Sequence, residues 1–226
     1  GDGDFECLAV LQAHDGDVKS VRFAPSHGQF GDGDEILLSA SYDDTIKCWA
    51  EDAGDWFCAI TLAGVHSSTI WTIAISPGGV RMVSGSDDRS IAIWRCYTAS
   101  ERKEIELEEA ADGISGQDSR GGVLHTDGLW KCVGKLASAH DQPVYSIDCA
   151  PSRAGHGRIV SCGGDNRINI YRETGGTSDA PLFALDACAH EAHEGDVNCV
   201  RWHPRNGRIV ASAGDDGLVK IWNYSM

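Results

Sequence analysis

A His, a Ser, an Asp and an aromatic residue recur in the same order four times along the chain. They are His14, Ser39, Asp43 and Trp49; His66, Ser84, Asp88 and Trp94; His140, Ser161, Asp165 and Tyr171; and His193, Ser212, Asp216 and Trp222. In each set the Asp follows the Ser by four residues and the aromatic follows the Asp by six. Two chemistries use these groups. An imidazole between a hydroxyl and a carboxylate is the arrangement that activates a serine nucleophile. The same groups also form a buried relay, in which a carboxylate accepts from backbone N–H groups and from the imidazole, and the hydroxyl accepts an indole proton. Fourfold repetition at fixed spacing favours the relay, and the chain has no G-x-S-x-G elbow to expose a serine. No catalytic residue is expected. The third set ends in Tyr171, which has no indole, so its relay must end differently.

Metal and cofactor chemistry finds little support. The nine cysteines are Cys7, Cys48, Cys58, Cys96, Cys132, Cys149, Cys162, Cys188 and Cys199; the number is odd and no pair has CxxC spacing. Zinc and iron–sulfur sites usually place two thiolates on one such turn. Alternation with apolar residues, as in Ile147-Asp148-Cys149-Ala150, reads as reduced thiols packing like small hydrophobes. His190 and His193 lack a third nearby ligand, and Asp2/Asp4 and Asp32/Asp34/Glu35 lack the full spacing of a calcium loop. No metal and no cofactor are expected. The 34 acidic residues exceed the 19 basic ones, giving a net charge of -15 that disfavours nucleic acid as a partner. No apolar run approaches the ~20 residues of a membrane span, and Gly1-Asp2-Gly3-Asp4 is unlike a signal peptide. A soluble, intracellular protein is expected.

The elements that position the repeated groups are short strands. Segments such as DVKSVRFAP (17–25) and DVNCVRWHP (196–204) alternate apolar and polar residues, and stretches such as GDDG supply tight turns. Phe5–Leu11, Trp56–Leu62, Trp130–Leu136 and Leu182–Leu185 read as outer strands. The repeats cover about 5–50, 56–95, 130–172 and 182–223, with a loop at 26–35 and a polar insert at 97–128 in which ERKEIELEEA has the composition of a helical turn or two. This is the signature of WD-type repeats, so the expected fold is an all-β WD40 β-propeller with four repeats in this chain.

The fifth residue after each His is Lys19, Trp71, Tyr145 and Asn198; the residue before each turn Asp is Tyr42, Asp87, Gly164 and Asp215. Both positions should face one rim of the central channel, where rigid scaffolds carry binding. Lys19, Trp71, Tyr145, Asn198, Tyr42, Asp87 and Asp215 are therefore candidate partner-binding residues. The competing reading is that Trp71 and Tyr145 pack between blades.

DFECLAVLQAHDGDVKSVRF, SASYDDTIKCW, DWFCAITLAG, SGSDDRSIAIWR, WKCVGKL, AHEAHEGDVNCVRWHP and GDDGLVKIW, with the unlike series Lys19, Trp71, Tyr145, Asn198, resemble the last four blades of the cytosolic iron–sulfur protein assembly WD-repeat family (the Ciao1 family). The resemblance spans nearly the whole chain apart from 26–35 and 97–128. It implies a non-catalytic docking scaffold in the cytoplasm, and also the nucleus, that works with a small acidic assembly partner, a HEAT-repeat adaptor and apoprotein clients. It implies no cluster held by this chain. A WD scaffold of an unrelated chromatin or ciliary complex is the alternative.

The family resembled has seven blades. At about 51° each, four such blades span roughly 206° and leave two open sheet faces. The chain reads as a piece of a longer protein that, isolated alone, pairs head to tail as an eight-blade homodimer at about 45° per blade.

Overall fold

The computed structural model describes residues 3–24, 36–98, 101, 104, 129–151 and 157–225. Alternating segments bounded by Asp, Gly and Ser form strands that pair only with sequence neighbours, the expected result where connections are short. The first blade is β1 (Val18–Phe23), β2 (Ile36–Ser41), β3 (Ile46–Asp52) and β4 (Asp55–Leu62). The second is β5 (Ile70–Ile75), β6 (Arg81–Ser86), β7 (Ile91–Tyr97) and β8 (Leu129–Leu136). The third is β9 (Val144–Cys149), β10 (Arg158–Gly163), β11 (Ile168–Thr177) and β12 (Ala180–Ala189). The fourth has three strands, β13 (Val197–His203), β14 (Asn206–Gly214) and β15 (Val219–Asn223). All pairs are antiparallel, so the fold is an all-β WD40 propeller arc of four blades.

Two expectations need correction. Phe5–Leu11 carries outer-strand patterning but lies outside any sheet and is largely exposed. Tyr97 is the last residue of β7 and not the first of an insert. Within 97–128 only Tyr97, Thr98, Glu101 and Glu104 are described, both glutamates in helical backbone; the rest of that segment, the loop at 26–35 and Asp2 lie outside the described residues.

Each turn between the second and third strands needs one residue in the left-handed region, and the residue after the turn Asp supplies it. Asp44, Arg89, Asn166 and Gly217 have φ of 63°, 66°, 62° and 74°. Asp, Asn and Gly tolerate that region well; Arg89 tolerates it poorly and is held by its setting.

The core is three separate seams between adjacent blades. Leu38, Ile46 and Cys48 meet Ile70 and Ile73 between the first two. Ile91 and Ile93 meet Val144 and Ile147 between the next two, and Ile168 and Ile170 meet Val197 and Val200 in the last. Polar side chains also cross the third seam. Ser146 Oγ accepts from the Val200 N–H at 3.2 Å, and the Asp148 carboxylate accepts from the Trp202 N–H at 2.8 Å. The innermost strands thus stand side by side in the order β1, β5, β9, β13.

Candidate functional site

Each blade brings its His, Ser and Asp together. The imidazole Nδ1 lies 2.7 Å from Asp43 in the first blade, 3.1 Å from Asp88 in the second, 2.9 Å from Asp165 in the third and 2.8 Å from Asp216 in the fourth. Nε2 lies 2.7 to 2.8 Å from Ser39, Ser84, Ser161 and Ser212 in turn. A carboxylate only accepts, so Nδ1 carries the proton and Nε2 accepts from the hydroxyl. The hydroxyl oxygen then accepts the indole N–H of Trp49, Trp94 or Trp222, at 2.8, 2.9 and 2.8 Å. The third blade departs from this. There the Tyr171 hydroxyl donates to the Ala139 carbonyl at 2.6 Å, Asn169 donates to the same carbonyl, and Ser161 has the imidazole alone.

Each carboxylate also ties two backbone segments together. Asp43 accepts from the N–H groups of Asp15 and Thr45, Asp88 from Ser67 and Ser90, Asp165 from Asp141 and Arg167, and Asp216 from Glu194 and Leu218. Burial alone would raise the Asp43 carboxyl, but hydrogen bonds from Thr45, His14 and the backbone outweigh it and hold it at about 2. The same balance, struck with His193, Leu218 and Glu194, holds Asp216 at about 2; Ser90 and His66 lower Asp88, and His140 with the Asp141 and Arg167 backbone lowers Asp165. Burial lowers the His66 imidazole despite the Asp88 charge beside it. All four serines are buried.

The rim is built by a second repeated device. In β1, β5, β9 and β13 the pairing register shifts by one residue between Val18 and Ser20, Ile70 and Thr72, Val144 and Ser146, and Val197 and Cys199. The skipped residues are Lys19, Trp71, Tyr145 and Asn198. A β-bulge leaves its extra residue unpaired and re-aims its side chain. Beside each bulge, a backbone N–H from the residue before the turn Asp donates to a carbonyl two residues earlier than the bulged one. These pairs are Tyr42 to Asp17, Asp87 to Thr69, Gly164 to Pro143 and Asp215 to Asp196, at 2.8 to 3.1 Å. The bond sets the two candidate binding positions of each blade next to one another.

The side chains then join across blades. Lys19 Nζ lies 5.2 Å from the Trp71 ring centroid, within cation–π range, and also pairs with Asp17 at 2.9 Å. Trp71 meets Tyr145 edge to face, with centroids 5.6 Å apart, and its indole donates to Asp87 at 3.3 Å. Burial raises the Tyr145 hydroxyl, and the charge and hydrogen bond of Asp196 add to that, followed by Asp87 and Asp215. Asn198 donates to Asp215. Tyr42 is 62% exposed. Trp71 and Tyr145 are half-buried and in mutual contact, so the inter-blade packing anticipated for them is present alongside an accessible surface.

Asp17 and Asp196 belong to this rim and were not singled out from the sequence. An Asp three residues after the first and fourth His was the available signal. A Cβ on Gly164 would come 3.3 Å from the Tyr145 hydroxyl, a constraint no spacing rule reveals. Among the described residues no three His, Cys, Asp or Glu side chains are grouped to hold a metal ion, and no helix is long and apolar enough to cross a membrane.

Residues 5–50, 57–95, 130–172 and 187–223 match the family model described as WD domain, G-beta repeat. The chain is 36% identical over 184 residues to the probable cytosolic iron-sulfur protein assembly protein Ciao1 of Aedes aegypti, covering 80% of this chain and 48% of that protein. It is 34% identical over 254 residues to a probable cytosolic iron-sulfur protein assembly protein 1 of Botryotinia fuckeliana, covering 98% and 55%. A Chlamydomonas reinhardtii homologue of the same description is 36% identical over 177 residues, covering 76% and 47%. The chain spans about half the length of the curated relatives it matches.

Proposed function

We propose that this chain, which belongs to the WD domain, G-beta repeat family, is a non-catalytic docking scaffold of cytosolic iron–sulfur protein assembly. Its rim would hold the assembly machinery, namely a small acidic assembly partner and a HEAT-repeat adaptor, together with apoprotein clients. The setting is the cytoplasm, and the nucleus for clients there. The relatives' names supply the pathway.

The observation that carries the docking role is the run of bulges. Four blades carry a bulge at the same place, and the bulged side chain differs in each: a cation, an indole, a phenol and an amide. A purely structural bulge would need no such variety. Lys19, Trp71 and Tyr145 form one continuous surface with an aromatic centre, the composition of an interface anchor, and Asp87, Asp196 and Asp215 give it a polar border. Meanwhile the His, Ser and Asp sets are consumed in holding blades together.

Affinity capture tests this. The chain should retain the HEAT-repeat adaptor from a cytosolic extract, identified by mass, and Trp71→Ala with Tyr145→Ala should abolish capture while the far-ultraviolet dichroism stays unchanged. Equal capture by the double variant would refute the assignment of the rim.

A further inference from the structure

Three carboxylates border the Trp71–Tyr145 pair, and neutral groups tie them to it. The Trp71 indole donates to Asp87 at 3.3 Å, and the Ser68 hydroxyl donates to the same carboxylate at 3.3 Å. The Tyr145 hydroxyl donates to Asp196. The Asn198 amide donates to Asp215 at 2.5 Å, and the Asp215 N–H donates to the Asp196 carbonyl at 3.0 Å. Carboxylate, indole, phenol and carboxylate thus follow one another from the second blade to the fourth. Gly164 makes room for the last step. Where the other blades carry Tyr42, Asp87 and Asp215 it has no side chain, and a Cβ there would lie 3.3 Å from the Tyr145 hydroxyl and 3.6 Å from Asp196 Oδ2.

A neutral donor leaves a carboxylate with accepting capacity to spare and with its charge unanswered. Among the described residues no Lys, Arg or His pairs with Asp87, Asp196 or Asp215. Lys19 shows what such a pairing looks like on this surface. Its ammonium lies 5.2 Å from the Trp71 ring centroid while Asp17 holds it at 2.9 Å. That cation steadies the ring from the first-blade side and is already engaged. Against it stand Asp17, Asp87, Asp196 and Asp215, in a chain whose net charge is -15. The aromatic pair therefore sits in a field that favours a second positive group.

We propose that the rim takes an arginine side chain of a docked partner, its guanidinium stacked on the Trp71–Tyr145 pair and bonded to Asp87 and Asp196. A guanidinium is planar and weakly hydrated, stacks on aromatic faces, and has enough N–H donors to meet both carboxylates at once. An ammonium is more strongly hydrated and has no plane to stack. An acidic segment would meet like charge along the whole border. The inference rests on the docking role of this face and adds the chemistry of the residue recognised there, whichever docked protein carries it.

Peptide binding to the full chain tests it. The probes are a fluorescein-labelled Gly-Arg-Gly-Arg-Gly peptide and two analogues with Lys or Glu in place of Arg, read by fluorescence anisotropy. The arginine peptide should bind, the lysine peptide should bind more weakly and the glutamate peptide should not bind, and raising the salt should weaken what binds. Asp87→Asn with Asp196→Asn keeps oxygens that accept from the indole and the phenol. It should weaken the arginine peptide by about tenfold at an unchanged melting temperature. Glu6→Gln with Asp55→Asn removes as much charge elsewhere and should change nothing. Equal binding of the arginine and lysine peptides, no binding of the arginine peptide at millimolar concentration, or full binding by Asp87→Asn with Asp196→Asn would each overturn the proposal. Adaptor capture that survives this amide pair but not Trp71→Ala with Tyr145→Ala would also overturn it, and would leave docking at the rim standing. An arginine peptide bound by a chain that captures no adaptor would uphold the arginine site and refute the adaptor assignment alone.

Discussion

Trp71 and Tyr145 meet across the seam between the second and third blades with ring centroids 5.6 Å apart and planes at 84°, the edge-to-face geometry that aromatic quadrupoles favour. Both are bulge residues, so neither ring position follows from the regular pleat. Lys19 extends the contact to the first blade by lying over the Trp71 ring. Three blades therefore share one surface, although their rim residues are 52 and 74 positions apart in the chain, from Lys19 to Trp71 and from Trp71 to Tyr145.

That shared surface predicts a graded effect on docking. Lys19→Ala should weaken adaptor binding by about tenfold, roughly 1.4 kcal/mol, and Trp71→Ala by more, since large aromatics dominate interface energies. Titration calorimetry or biolayer interferometry with the purified adaptor reads both. Unchanged affinity for Trp71→Ala, with a large fall in melting temperature, would mean the ring serves packing alone.

The relays predict unequal costs for the same substitution. Ser84→Ala leaves the Trp94 indole and the His66 Nε2 without a partner in a buried site, a loss of about 2–4 kcal/mol. Ser161→Ala strands only the His140 Nε2, because Tyr171 bonds to Ala139 instead, a loss of about 1–2 kcal/mol. Urea unfolding of the two variants should rank them in that order; the reverse order would contradict the third blade's different ending.

A glycine in the third blade predicts a steric penalty. A Cβ on Gly163 would fall 1.9 Å from the Pro143 carbonyl oxygen, where only backbone movement gives relief. Ser41 and Ser86 hold the equivalent place in the first two blades without harm. Gly163→Ser should nevertheless destabilise by at least about 2 kcal/mol, read as a lower melting temperature.

The four turn carboxylates predict acid sensitivity. Asp43 and Asp216 are held at about 2 against an ordinary 3.8, with Asp88 and Asp165 also lowered. A depressed carboxyl contributes stability that is present above its unfolded value and disappears as pH falls toward the folded one, so the loss should run from about pH 4 to about pH 2. The lowered His66 acts in the same direction and earlier: below 6.5 the unfolded imidazole takes a proton that the folded one resists. Melting temperature against pH should therefore decline gently below 6.5 and steeply below 4. Asp88→Asn should lower the neutral plateau and flatten the acid limb; an acid limb as steep as the parent's would argue against Asp88 as a contributor.

The sequence by itself determined the architecture, because local chemistry repeats. Alternation marks strands, the Ser–Asp–aromatic spacing spans one hairpin, and the His that completes each relay lies a single strand upstream, so all the groups of a blade are encoded within some forty residues. It also singled out Lys19, Trp71, Tyr145 and Asn198, by counting five residues from each His. Tertiary structure alone decided what those positions contact. The bulges at Lys19, Trp71, Tyr145 and Asn198 shift register by one residue, and their one trace in the sequence is the odd step of three between the apolar residues that flank them, as in Ile70 and Ile73 or Val144 and Ile147. Contacts between blades depend on how sheets pack, so the meeting of Trp71 with Tyr145 was not legible in any one repeat. Phe5–Leu11 shows the same limit from the other side: its residues have a strand's pattern, but a strand exists only where another edge offers its N–H and C=O groups.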